Sequence, residues 1–131
     1  MVADTETNSK MINQLMAWYA EFPFPEYQPA GMDIPTTVAN SSLCHVSVTK
    51  FMQAHGFERS DPERGERCAG VTADVCKFTV QMLNQFADSG TFETTLTPAA
   101  IVGDCMACHD TAISPAHGKE NCYECHGDPH A

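Results

Sequence analysis

The feature that most constrains this chain is a pentapeptide, Cys-x-x-Cys-His, that occurs twice in its last quarter. Two thiols three positions apart can add to the two vinyl groups of one haem, and the adjoining histidine then lies under the iron as an axial ligand. The repeat therefore predicts two haem c groups, each attached through two thioethers and one proximal histidine. The attachment cysteines and proximal histidines are Cys105, Cys108, His109, Cys122, Cys125 and His126.

Two other sites use paired cysteines, the zinc ribbon and the thioredoxin-like redox pair. Neither requires a histidine directly after the second cysteine of both pairs. The 13 residues between Cys108 and Cys122 are also fewer than a zinc ribbon usually has. Haem attachment is therefore the favoured interpretation.

The charge balance of the 131-residue chain is strongly acidic, with 7 Lys and Arg against 17 Asp and Glu and a formal net charge of −10. Nucleic acid and anionic membrane surfaces are excluded as expected partners. No apolar run reaches the roughly 18 residues of a membrane span. The first ten residues lack a secretory pattern, but bacteria attach haem to this motif outside the cytoplasm. We therefore expect a periplasmic or otherwise extracytoplasmic protein whose signal peptide has been removed.

Apolar residues recur at steps of three and four over residues 8–22, which predicts an amphipathic helix capped by Asn8 or Ser9. Residues 23–35 contain four prolines and predict an ordered surface loop. The expected apolar anchors of this loop are Phe24, Tyr27, Met32 and Ile34.

A second helix is predicted for residues 43–55, opened by Ser41 or Ser42 and ended by Gly56. A third is predicted from a capping box at residues 60–63 to Gly90. One face of this long helix carries Cys68, Val71, Val75, Phe78, Met82 and Phe86.

No segment alternates polar and apolar residues for long enough to predict a sheet. The expected fold class is all-α, with four to five helices packed around two c-type haems bound by the C-terminal segment. A short helix capped by Thr97 would lead into that segment, and both haems would pack against the helices of Cys44 and Cys68. The single domain would comprise a helix and proline-rich loop over residues 1–40, a two-helix scaffold over 41–90, and the haem-attachment segment over 97–131.

Four further histidines compete for the distal faces of the two irons. His117 lies between the attachment sites and His45 adjoins Cys44, so these are the stronger candidates. His55 and His130 are weaker, since His130 would share the helical face of His126 and cannot cross to the opposite side of the same haem. Histidine on both sides of each iron is favoured over methionine. The methionines Met52 and Met82 fit better as core residues.

Three cysteines remain outside the haem motifs: Cys44, Cys68 and Cys76. If Cys68 and Cys76 share a helix, about 12 Å of rise separates them, too far for a disulfide. Cys44 could pair with either of them. Buried inert thiols, a disulfide, and a metal or iron-sulfur site all remain open.

The segments that begin at Cys44 and Glu66, followed by two Cys-x-x-Cys-His sites, resemble the split-Soret dihaem cytochromes c. The likeness covers residues 41–131, although Arg67 stands where related Gly-Cys-Ala redox domains have glycine. The resemblance implies a homodimer with four haems at one end, closely stacked haems within each protomer, and histidine ligands on both sides of each iron. One of those histidines would cross the dimer.

The expected function is a dihaem c-type cytochrome that carries electrons between redox partner proteins in anaerobic respiration, a role that needs no catalysis. The alternative is a haem-based reductase or peroxidase of a small oxidant such as nitrite, with an open distal site. His55 or Arg67 would then supply a proton or a hydrogen bond. A redox or gas sensor would usually carry an effector domain, and the sequence contains no sign of one.

Overall fold

The computed structural model describes residues 4–95 and 127, and this part of the chain is mostly helical. Two two-residue strands form a small antiparallel ladder between the first two helices, in which Pro23 pairs with Val38. This ladder was not predicted, because two residues are too few for an alternating pattern. The elements are α1 (Thr5–Glu21), β1 (Pro23–Phe24), β2 (Thr37–Val38), α2 (Cys44–His55) and α3 (Pro62–Ser89).

The predicted helical class is therefore confirmed for the described part of the chain. The short helix expected at Thr97, on which the count of four to five depends, lies outside the described residues, as does the haem-attachment segment. No helix within residues 4–95 is long and apolar enough to cross a membrane.

Helix α1 begins earlier than predicted. Its N-cap is Asp4, whose carboxylate accepts a hydrogen bond from the Thr7 backbone N–H at 2.7 Å. The expected cap at Asn8 or Ser9 is wrong, since both lie inside the helix and the Ser9 hydroxyl donates to the Thr5 carbonyl at 2.9 Å. The apolar pattern starts only at Met11, so it gave no sign of the polar first turn.

Helix α2 ends where the sequence predicted, at Gly56 with φ 72°. Its N-terminus is different, because Leu43 occupies the N-cap position and provides no side-chain hydrogen bond. The Ser41 hydroxyl instead accepts from the Leu43 backbone N–H at 3.2 Å. Ser41 therefore stabilises the turn before the helix and is not its N-cap.

Helix α3 begins at Pro62 and stops at Gly90 with φ 73°, as predicted. The predicted capping box does not form, since the N-cap residue is Asp61 and its side chain bonds no N–H of the helix. Its carboxylate accepts from the Glu58 backbone N–H at 2.8 Å and closes the preceding turn.

The apolar core lies where α1 crosses α3. Met11, Met82 and Phe92 form its buried cluster. Trp18 of α1 stacks on Phe78 of α3 with ring centroids 4.1 Å apart and planes only 4° from parallel. The predicted apolar faces of both helices thus pack against each other.

The proline-rich loop is ordered, and two of its predicted anchors are fully buried, Phe24 at 0% and Ile34 at 1% exposure. Tyr27 is not an anchor, since 53% of it is exposed. The Gln28 side chain closes the loop by accepting from the Ile34 N–H at 2.8 Å and donating to the Ile34 carbonyl at 2.9 Å.

Asp74 fastens this loop to α3. The carboxylate is 4% exposed, and its two oxygens accept the backbone N–H groups of Glu26 at 2.7 Å and Tyr27 at 3.1 Å. Pro25 lies so close to Gly70 that a Cβ there would meet the proline Cβ at 2.6 Å. Loop and helix therefore form one packed unit.

Gln14 fixes the point at which the chain leaves the scaffold. Its side-chain oxygen accepts from the Thr94 hydroxyl at 2.6 Å and the Thr95 N–H at 2.9 Å, while its amide donates to the Thr95 hydroxyl at 2.9 Å. The C-terminal segment thus begins from a defined position on α1.

Candidate functional site

Most of the predicted haem residues lie outside the described part of the chain and stay predictions. They are Cys105, Cys108, His109, His117, Cys122, Cys125, His126 and His130.

The two remaining candidate ligands, His45 and His55, are both exposed and lie at opposite ends of α2. The His55 ring nitrogen Nε2 lies 3.0 Å from the Thr37 hydroxyl and 3.4 Å from the Thr36 carbonyl oxygen. In this position His55 joins α2 to β2, and iron ligation through the same nitrogen would break that link. Met82 is 6% exposed within the core cluster, in agreement with its interpretation as a core residue.

The three cysteines outside the haem motifs are free thiols in the described structure, with Cys44 and Cys76 exposed and Cys68 partly exposed. Burial in an apolar core, one of the three interpretations, therefore does not account for Cys44 or Cys76. Within residues 4–95 and 127, no cluster of three or more His, Cys, Asp or Glu side chains is arranged to hold a metal ion.

A buried cation lies beside two of these thiols. Arg67 is only 1% exposed, and a guanidinium Nη donates to the fully buried Ser47 hydroxyl at 2.6 Å. Its guanidinium carbon lies 5.2 Å from the ring centroid of Phe51, a cation–π contact. Its Nε–H, also buried, has no hydrogen-bond partner among the described residues.

Burial lowers the pKa of Arg67, and the charges of Tyr19, Cys68 and Cys44 oppose that shift. These three weakly acidic groups thus surround the guanidinium closely enough to act on it electrostatically. None of the interacting groups is a carboxylate, although α3 carries several. Among the described residues, this buried cation has no carboxylate partner of the kind that buried arginine normally has.

Tyr19 approaches the same cluster from α1. Burial raises the pKa of its phenol, Ser47 lowers it, and the nearby Cys44 raises it. The buried hydroxyl lies close to Ser47 and Cys44 but makes no hydrogen bond of good geometry with a described residue. All three helices therefore contribute to the cluster, which we call the Arg67 cluster: Tyr19, Cys44, Ser47, Arg67 and Cys68.

Cys44 and Cys68 both act electrostatically on the cation of the Arg67 cluster, and Cys76 is not among the described groups that do so. Cys68 directly follows Arg67 on α3, and Cys44 lies one helical turn before Ser47 on α2. Eight residues along α3 separate Cys76 from Cys68, about 12 Å of rise. Two thiols supply soft sulfur donors, and the cation balances the negative charge that such donors carry when bound to a metal. The chemistry of this donor set fits a soft metal ion, with any further donor coming from elsewhere.

From the sequence, Arg67 is expected only to supply a proton or a hydrogen bond to a substrate, and its burial is not predicted. A signal was available, because residues 67, 71, 74 and 78 follow the helical repeat of the apolar face of α3. Arg67 and Asp74 thus interrupt a buried stripe with charge, which is unusual without a partner or a role.

Comparison with known proteins gives two related matches, whereas no family model matches the chain. The split-Soret cytochrome c of Desulfovibrio desulfuricans is 32% identical over 126 residues, which cover 88% of this chain and 45% of that protein. A solved structure that describes a novel iron centre in the split-Soret cytochrome c of the same organism matches with a TM-score of 0.81. It is 30% identical and covers 95% of this chain and 56% of the solved one. The chain thus spans about half the length of the relatives that it matches.

Proposed function

The chain belongs to the split-Soret-like cytochrome family, and we propose that it is a dihaem c-type cytochrome that carries single electrons between redox proteins. The observation that carries the proposal is the repeated Cys-x-x-Cys-His motif in a chain related to a cytochrome c. Bound haem would supply one-electron redox chemistry, with no substrate bond made or broken.

The proposed attachment follows the two motifs. Cys105 and Cys108 would hold one haem and His109 would ligate its iron. The second set consists of Cys122, Cys125 and His126. His117 and His45 are the proposed distal ligands, with His55 and His130 as weaker candidates. His55 would first have to leave Thr37, whose hydroxyl lies 3.0 Å from its Nε2.

The roles of the rest of the chain follow from charge and position. With both motifs in one short segment, the two irons would lie close enough for an electron to enter at one haem and leave at the other. The formal charge of −10 would steer encounter with a basic patch on the partner protein. A homodimer and a periplasmic or otherwise extracytoplasmic location complete the proposal.

We also propose that Cys44 and Cys68 bind a soft metal ion, such as the iron of an iron-sulfur cluster. The support is that both thiols act electrostatically on the buried Arg67. Cys68 directly follows Arg67 on α3, and Cys44 lies one helical turn before Ser47, the hydrogen-bond partner of Arg67. The described iron centre in the related cytochrome makes iron the first metal to test. Cys76 lies too far along α3 to join the same ion with Cys68 in one straight helix.

Optical and paramagnetic resonance spectra of the oxidised and dithionite-reduced protein, with and without carbon monoxide, test the carrier role. Low-spin iron that does not bind carbon monoxide would support a carrier with two protein ligands on each iron. A high-spin fraction that binds carbon monoxide would contradict it and favour a reductase, a peroxidase or a sensor. His117→Ala should convert one haem to high spin, whereas Tyr27→Phe on the exposed loop should leave the spectra unchanged.

A further inference from the structure

Among the described residues, the buried guanidinium of Arg67 has fewer hydrogen-bond and charge partners than a buried cation needs. It is 1% exposed, makes one hydrogen bond to a described residue, and leaves Nε–H unpaired. A buried charge that lacks compensation costs several kcal/mol, which is why arginine inside proteins is normally paired with a carboxylate. In the described part of the chain, this unfavourable charge lies near the thiols of Cys44 and Cys68.

The electrostatic neighbours of Arg67 indicate what compensates it. They are Tyr19, Cys44 and Cys68, of which only the two thiols are good metal ligands. The packing of α2 and α3 gives the same neighbours, since Cys68 directly follows Arg67 on α3. Cys44 lies one helical turn before Ser47, the residue whose hydroxyl accepts from Arg67 at 2.6 Å. A thiol gives up its proton when it binds a metal, so the two sulfurs would then carry the negative charge that the cation lacks.

We propose that Arg67 is a positioning residue whose buried guanidinium balances the charge of metal-bound Cys44 and Cys68. This inference rests on the proposed metal-binding role of the two thiols. It assigns Arg67 a function in the outer shell of the metal site, where donors to ligand atoms commonly change metal affinity about 10- to 100-fold. Arg67 itself touches no metal.

The test is the Zn²⁺ affinity of the haem-loaded protein. The protein is purified without oxygen, and adventitious metal is removed with EDTA. Two variants separate charge from shape, because Arg67→Lys keeps the cation and Arg67→Gln removes it, while both lose the guanidinium. Calorimetric titration should give about 10- to 100-fold weaker Zn²⁺ binding for Arg67→Gln, and Arg67→Lys should recover at least half of that loss on a logarithmic scale.

Lys77→Gln is the matched control, since Lys77 is an exposed cation on the same helix and pairs with Glu26 at 2.8 Å. Its Zn²⁺ affinity should stay within about twofold of the parent because exposed charges are screened. Circular dichroism of every variant confirms that α3 has formed, and a variant that fails to fold is replaced by its Met counterpart.

Equal Zn²⁺ affinities for Arg67→Lys and Arg67→Gln would overturn the proposal. If the guanidinium had only a structural role, retaining a positive charge at this position would not restore metal binding. Unchanged affinity in Arg67→Gln would overturn it as well. The double variant Cys44→Ser with Cys68→Ser tests the premise separately. If it binds Zn²⁺ as tightly as the parent, the thiols are not the ligands and the proposed metal role itself fails, whatever the haem content.

Discussion

Helix α3 buries two charged side chains, and they differ in how fully their polar atoms are hydrogen-bonded. Arg67 and Asp74 lie seven residues apart, close to two full turns, so they project from the same face. Both oxygens of Asp74 accept backbone N–H groups of the proline-rich loop. Arg67 makes one hydrogen bond and leaves Nε–H unpaired within the described structure.

From this difference we infer that the charge of Asp74 has a structural role and the charge of Arg67 a functional one. Asp74 satisfies two N–H groups that no strand or helix would otherwise pair, so its burial builds the loop onto the helix. Among the described residues, Arg67 donates only to the Ser47 hydroxyl, and the two thiols that act on it electrostatically have a charge that depends on what they bind. Substitution of Asp74 itself should therefore mainly alter stability, and substitution of Arg67 itself should mainly alter metal binding.

The largest loss of stability should follow Asp74→Ala. The change leaves the N–H groups of Glu26 and Tyr27 without their acceptors at a partly buried contact, and we expect the free energy of unfolding to fall by about 3 kcal/mol. Urea denaturation followed by circular dichroism measures it. Asp88→Ala, at an exposed acid on the same helix, should stay within about 0.5 kcal/mol of the parent, and equal losses would remove the distinction.

A second test changes the contact between loop and helix without changing charge. Gly70→Ala places a Cβ 2.6 Å from that of Pro25 and should destabilise the protein by about 1 to 3 kcal/mol. Gly65→Ala on the same helix meets nothing within 4 Å and should stabilise by up to about 1 kcal/mol. Thermal unfolding shifts of opposite sign are expected, and shifts of the same sign would mean that the loop does not pack as described.

Ser47→Ala removes the hydroxyl that accepts a 2.6 Å hydrogen bond from the Arg67 guanidinium. Because the donor is charged and buried, we expect a loss of about 1.5 kcal/mol in urea denaturation. Ser60→Ala should cost almost nothing, since Asp61 and not Ser60 is the N-cap of α3. A near-neutral Ser47→Ala would show that the Arg67 cluster is not held by this bond.

The smallest effect should come from Tyr19→Phe and should depend on pH. Burial raises the pKa of Tyr19 above its usual 10.0, so the folded protein keeps the phenol proton that the unfolded chain releases. The stability contributed by the neutral phenol is complete below pH 10.0 and is lost as pH rises above it. Tyr19→Phe should lessen this alkaline loss, whereas Tyr27→Phe, at an exposed residue, should not.

The sequence predicted those features that depend on neighbouring residues. Gly56 and Gly90 end their helices as expected, because a left-handed stop is a local requirement. The buried Phe24 and Ile34 also followed from local apolar anchors in a proline-rich loop. The predictions failed where contacts with residues distant in sequence determine burial. Tyr27, for example, was expected to anchor the loop but is exposed.

The candidate site also contains features that a local sequence pattern predicts and features that it does not. The haem motifs were visible because one pentapeptide carries thioether and iron chemistry together. The burial of Arg67 depends on Ser47 and Phe51, which are 20 and 16 positions away along the chain, so no local pattern gives its surroundings. Only its place in the apolar stripe of α3 pointed to it.

Intact mass spectrometry of the denatured protein, produced in a host that attaches haem c, tests the central claim most directly. The account predicts the mass of the polypeptide plus two covalently bound haems, and the loss of one haem when Cys105 and Cys108 are both replaced by alanine. The mass of the bare polypeptide, or of a single haem adduct in the parent protein, would contradict it.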